Sequence, residues 1–428
     1  MQSVARASLG SAALFLSVAL AACAHDGPTQ PIDLRPTSCP GLNLGLPPAT
    51  VTTSPTTPAA MAILGSGRDT VRYQAEVAVR GSIAYTTSWG VRQVAGNKVS
   101  IWDVSGAVPV LVDSLIVVGA TTTGDVAVSD DGSLLVVATE RAGGSIVIYD
   151  LTDPRKPQLL SRFNNANTDP GVHTAEIGRV NGKLYGFLSI DPAATVGARL
   201  VIVDLSTPSA PREVYNKLAG NPYVHDTFVR DGLLFVALWD DGMQIWDIGA
   251  CGEGATPEAP RVLGTVKTVG GQVHNVWWYH DPNGSQRYAF VGQEGPGSVP
   301  TLSTGDIHVV DISDPLAPKE VAFYHVNGAG THNFSVDEAN GVLYAAYYNA
   351  GVRALDISGD LGKCDPSQRV PIAGSNLFRC DLRLTGRELA TGLTDAGRQV
   401  YVWGVDYLNG NVYASDMLNG IWKLGAAK

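Results

Sequence analysis

Charge is scarce in this sequence, and positive charge most of all. Charged residues make up 16% of the 428, with 30 lysines and arginines against 40 aspartates and glutamates. The formal net charge of −10 argues against nucleic acid as a partner, because that binding rests on neutralising phosphates with Lys and Arg. Nor is there a polybasic patch for an anionic membrane surface. Cysteine is also sparse: five residues, none in a Cys-x-x-Cys pair, so zinc-site spacing is missing. The sequence has no Gly-x-Ser-x-Gly elbow, no Walker motif and no dinucleotide fingerprint, which removes the chemistries those motifs mark. Its longest leading apolar run, Ala12–Leu20, is too short to span a bilayer as a helix.

Hydrophobic residues fill 45% of the chain, with 48 glycines and 25 prolines. Together with many short β-branched runs, that balance predicts an all-β protein rich in turns, with a large core. The first residues read as an export signal: Arg6, then the apolar run, then Leu20-Ala21-Ala22-Cys23. That end resembles the bacterial lipoprotein lipobox, which implies cleavage before Cys23 and lipidation of its thiol. Ala24 is permissive for the outer membrane in a Gram-negative envelope. The expected domains are a signal peptide over 1–22, a lipidated Cys and flexible tether over 23–57, and a folded body over 58–428. The tether is rich in Pro, Thr and Ser and cannot bury enough apolar area to offset its ordering. An exported chain can form disulfides. Cys364 and Cys380 enclose a short insertion and are the first expected pair; Cys39 and Cys251 remain, their pairing open.

The body repeats one string six times, a hydrophobic run followed by Asp and another hydrophobic residue. The copies are Val99–Val104, Ile146–Leu151, Leu200–Leu205, Met243–Ile248, Ile307–Ile312 and Val352–Ile357. Around each, two strands precede and one follows, so the unit is a four-stranded antiparallel blade. The units run Glu76–Leu115, Asp125–Phe163, His173–Val214, His225–Val266, His274–Tyr324 and His332–Asp356. A seventh, Tyr401–Leu424, has Lys423 in place of the Asp and ends before a fourth strand. Ala60–Leu64 has outer-strand character, so a seven-bladed β-propeller closed by that N-terminal strand is predicted. Closure removes open sheet edges. The aspartates themselves read as scaffold that caps the turn after the third strand. Asp130-Asp131-Gly132 and Asp240-Asp241-Gly242 read as turns, since neither continues as an EF-hand loop. Trp102, Trp246, Trp277, Trp278 and Trp422 read as filling between blades.

These units resemble the LVIVD-repeat family, whose string stands at Leu200–Asp204. An Asp-hydrophobic-Ser/Thr-x-Pro extension matches at Asp150–Pro154, Asp204–Pro208 and Asp311–Pro315. The resemblance covers residues 60–428. It implies an extracellular or envelope β-propeller, in a family mostly without an assigned activity.

Four of the eight histidines share one repeat position, the start of the innermost strand: His173, His225, His274 and His332. Blade two has Gly124-Asp125 there, blade one Ala75-Glu76, blade seven Trp403-Gly404. Innermost strands line the channel of a propeller, so four imidazoles should share one arc of its mouth. Asp226 and Glu176 follow closely in sequence. Loops on the same face carry Glu140, Asp191, Asp240, Asp241 and Glu294. Two readings stand open. The histidines cap inner strands, and the channel face binds a protein or small ligand without turnover. Alternatively they hold one zinc, copper or iron ion for an oxidase or hydrolase. A monomer held to the cell envelope through its lipid anchor alone is expected in both.

Overall fold

The computed structural model describes residues 39–47, 57–90, 94–194, 196–252, 254–297 and 303–427. The expected signal peptide, Cys23 and most of the expected tether lie outside these residues. Among the described residues no helix is long and apolar enough to cross a membrane.

Seven antiparallel sheets form a propeller ring, each beginning on the channel and ending at the rim. The inner strands are Tyr73–Arg80, Val126–Val128, Val172–Val180, Asp226–Arg230, Val273–Trp278, Phe334–Asp337 and Val402–Leu408. Second and third strands are almost wholly buried, as in Leu134–Thr139 and Ser145–Asp150. Outer strands such as Val110–Ile116 stay largely exposed. The buried side chains gather in clusters that straddle blade boundaries. Leu134, Val136, Ile146 and Ile148 of blade two pack on Val172, Leu188 and Val201 of blade three, and Trp246 packs into the cluster between blades three and four. Removing this apolar area from water is what binds one blade to the next.

The repeated aspartates act as turn caps. The Oδ1 atoms of Asp103, Asp150, Asp204, Asp247, Asp311 and Asp356 each accept a backbone N–H two residues on, at 2.6–2.9 Å. That bond ends the third strand and aims the chain at the fourth. In blade seven Lys423 instead donates to the carbonyls of Val104 and Gly106, 2.8 Å each. It ties blade seven to blade one across the closure.

The closing strand lies slightly beyond the expected Ala60–Leu64. Ile63–Arg68 pairs antiparallel with Gly420–Gly425 and completes blade seven. Ala59–Ala60 adds in parallel to Glu388–Gly392 at the rim of blade six. Met61 between them is buried in the cluster of blades six and seven, which carries the chain across the boundary. The segment after Asp356 is more than decoration. Glu388–Gly392 is the outer strand of blade six. The hairpin of Arg369–Pro371 and Phe378–Asp381 extends blade five, stapled by the Cys364–Cys380 disulfide.

Cys39 is bonded to Cys251, and residues 39–47 lie along blades four and five. The Asn43 N–H donates to Gln286 Oε1 at 2.8 Å, the Gln286 N–H donates back to the Asn43 carbonyl at 2.7 Å, and Ser285 Oγ donates to the Gly45 carbonyl at 2.6 Å. This part of the expected tether is therefore fixed to the body: the disulfide and the partly buried Leu42 and Leu44 outweigh its unpromising composition.

Candidate functional site at the channel mouth

Four of the seven inner strands are irregular where they meet the channel. Pairing with the second strand slips between Val172 and Thr174 and between Val273 and Asn275. Blades one and seven slip at the same level, between Gln74 and Val77 and between Val402 and Val405. A bulge inserts an extra residue and re-aims side chains. The residue so inserted in blades three and five is His173 or His274.

The four imidazoles form a continuous chain. Ring centroids are 4.3 Å apart for His173–His225, 4.1 Å for His225–His274 and 4.1 Å for His274–His332. Trp403, at the same repeat position in blade seven, continues it 4.4 Å from His332. His173 Nε2 and His225 Nε2 are 3.1 Å apart. His225, His274 and His332 are buried. Their Nδ1 atoms, and Nε2 of His274, meet no hydrogen-bond partner among the described residues. Buried polar atoms are nearly always paired, so such a row of open nitrogens needs a cause.

Electrostatics divide the arc in two. Burial, reinforced by neighbouring imidazoles, holds His225, His274 and His332 well below the ordinary histidine value. They stay neutral, the form that ligates metals. Burial opposes charge on His173 too, but Glu140 and Asp191 outweigh it and push the ring up to about 10. Its Nδ1 lies 3.4 Å from Asp191 Oδ1 and 3.9 Å from Glu140 Oε2. Burial pushes Glu140 up to about 7. Gly124 makes room for it, since a Cβ there would stand 2.0 Å from Glu140 Oε1.

Two groups of side chains can converge on an ion: His225 with His274 and Glu294, and Glu140 with His173 and Asp191. Within each, the donor atoms lie within 4.8 Å of one another. A tetrahedral ion with bonds of about 2.1 Å separates its ligands by roughly 3.4 Å, so small inward rotations complete either set. His332 Nε2 lies 4.0 Å from Glu294 Oε1 and stands ready as a fourth ligand to the first group. The mouth above is a cavity of about 640 Å³, lined in part by Glu140, His173, Asp191, His225, Trp239 and Glu294. That volume admits a small organic molecule.

Of the acids expected on this face, Glu294 meets the buried histidines, and Glu140 and Asp191 meet His173. Glu176 and Asp226 line a second chamber deeper in the channel. Asp240 is exposed and Asp241 lies 3.8 Å from Lys267; neither lines a chamber. Trp277 packs between blades as expected, against Phe228 and the core of blades five and six, and also walls the deeper chamber. Sequence reasoning passed over two aromatics. Trp239 stacks on His225 at 5.1 Å. Tyr348 lies 5.2 Å from His332, and its hydroxyl donates to Glu294. Both hold left-handed backbone, φ 53° and 37°, a costly conformation for bulky residues. The available signal was their shared position, three residues before the glycine of the loop joining second and third strands.

The LVIVD repeat family matches residues 194–217 and 302–326, the third-to-fourth-strand segments of blades three and five. No curated protein matches the sequence. Among solved structures, the fold is similar to one described as U3-55K, with a TM-score of 0.57, 12% identity, and 86% of this chain and 100% of that one covered. It is likewise similar to the RRP9 WD40 repeats, with a TM-score of 0.57, 11% identity and coverage of 86% and 99%. The computationally designed Ika8 protein gives a TM-score of 0.53, 11% identity and coverage of 85% and 99%. At such identities the likeness is one of fold alone. The chain is thus a seven-bladed β-propeller that carries LVIVD repeats.

Proposed function

We propose that this chain is a lipid-anchored binding propeller of the bacterial cell envelope that holds a transition-metal ion at His225, His274 and Glu294. Through that ion and the cavity above it, the propeller takes a small ligand. The observation that carries the reading is the row of buried, neutral imidazoles whose Nδ1 atoms meet no hydrogen-bond partner among the described residues. Zinc, copper and iron fit a nitrogen-rich set without thiolate. The lipobox-like Leu20–Cys23 and the two disulfides support an exported location.

Elemental analysis of the purified full chain tests the metal. About one equivalent per chain is expected, lost in the His225→Ala/His274→Ala double variant. A metal-free chain that cannot be reloaded, or retention in the double variant, overturns the reading. Cys23→Ser is expected to shift the protein from the membrane fraction to the soluble one. A second reading, an oxidase or hydrolase working on that ion, is favoured by the Glu140–His173–Asp191 group beside it, a ready proton relay. Turnover abolished by Glu140→Gln, with metal retained, would support it.

A further inference from the structure

Below the histidines the channel opens into a second chamber of about 370 Å³. Five carboxylates line it: Glu76, Asp125, Glu176, Asp226 and Asp406. Among the described residues, no lysine, arginine or histidine does. The partners these acids have are neutral. Asp125 accepts from the Ala175 N–H at 2.7 Å, Asp226 from the Thr227 N–H at 2.8 Å, and Asp406 from the Val79 N–H at 2.7 Å. The bonds of Asp125 and Asp406 cross blade boundaries, which gives these two a structural role. It does not account for the rest.

Glu76 is 8% exposed and its Oε1 meets no donor, while Oε2 accepts from Asn333 Nδ2. Asn275, 3% exposed, and Asn333 line the same chamber, and their Oδ1 atoms are equally without a donor. Three acceptors that meet no donor among the described residues, and acids that burial drives toward their neutral form for want of a counter-charge, make a chamber short of positive charge. A hard metal ion would bring charge, but it needs several oxygens gathered closely around it. Calcium takes 6–8 oxygens at about 2.3–2.6 Å, and among the described residues no three of these carboxylates bring oxygens within 4.8 Å of one another. An ammonium group fits better, because its N–H bonds reach acceptors set apart. Phe228 and Trp277, ring centroids 5.2 Å apart, add an apolar wall to the chamber. Such a wall packs against methylenes and attracts a cation to its π-face.

We propose that this lower chamber is a binding site for a primary aliphatic ammonium group, held by Glu76, Asp226 and Asn275 against Trp277. The group comes from a free amine or from a lysine side chain. The inference is independent of any metal at the histidines.

Calorimetric titration of the full chain tests it, with putrescine, Nα-acetyl-lysine amide, 1,4-butanediol and calcium chloride as separate probes. Saturable binding of putrescine at about one per chain is expected, with none for the isosteric diol. Uptake of the lysine amide alone would assign the same chemistry to a protein-borne amine. Glu76→Gln and Asp226→Asn, which keep shape and remove a carboxyl that can ionise against a bound ammonium, should each weaken binding about tenfold or more. Should either fail to melt cooperatively, Trp277→Leu replaces it and should weaken binding in the same direction. No saturable binding of either amine, equal affinity in the variants, or binding of calcium alone would overturn the proposal.

Discussion

Seven side chains at one repeat position separate the roles of this channel: Ala75, Gly124, His173, His225, His274, His332 and Trp403. Gly124 exists for its neighbour. In Gly124→Ala the new Cβ would collide with the end of the Glu140 side chain. The expected result is displacement of Glu140 at a stability loss of about 1 kcal/mol, seen as a small drop in Tm and a lowered His173 pKa by NMR. An unchanged His173 would show that Glu140 does not hold its charge. Asp226 offers a pH test. Burial, then Asp125, push it up to about 8, whereas the unfolded chain releases that proton near the ordinary carboxylate value. Between those two values the folded chain binds more protons than the unfolded one, so this group's contribution to stability falls as pH rises. Asp226→Asn removes the slope. Its Tm relative to wild type should climb by roughly 2–4 °C from pH 5 to pH 8, and a flat difference would refute the assignment. The neutral histidines act in the opposite sense and cancel in this comparison. At this scale the histidines were legible, because one residue type recurred at one register. Tyr348 and Trp239 were not, since their rings reach the arc only by a left-handed turn that no propensity announces.

Strands and turns were the most legible level. Alternating apolar runs and Asp-capped turns mark each blade, and the hydrogen bonds follow that pattern. The bulges were hidden, because an extra residue in an inner strand leaves the apolar pattern nearly intact while redirecting His173 and His274. The short segment 39–47 shows composition overruled by a single covalent bond. Cys251→Ser should release it and lower stability by about 2–4 kcal/mol. Hydrogen exchange at Asn43 and Gln286 should quicken together. Persistent protection at both amides would mean that Leu42 and Leu44 hold the segment without the disulfide.

Ring closure belongs to the whole molecule. Ile63–Arg68 and Gly420–Gly425 meet from opposite ends of the chain, and Gly67 lets them pass Trp102: a Cβ there would stand 2.6 Å from the indole ring. Gly67→Val should split this pairing, lower Tm by more than any single rim substitution, and broaden the melting transition as blades one and seven separate. A sharp transition with unchanged Tm would show that closure rests elsewhere, with Lys423 and its two carbonyl partners the next place to look.

The sequence by itself determined the blades, their number and the shared register of the histidines, because strand period, turn chemistry and repeat spacing are local and survive reading one residue at a time. Tertiary structure alone decided which groups meet. Glu294, from the loop joining the second and third strands of blade five, reaches His225 of blade four and nears His332 of blade six. Glu140 fills the space Gly124 vacates. Five carboxylates from different blades share one chamber. Distances across a channel depend on how seven sheets are turned about a common axis, and that angle is set by packing between blades, which no single repeat encodes.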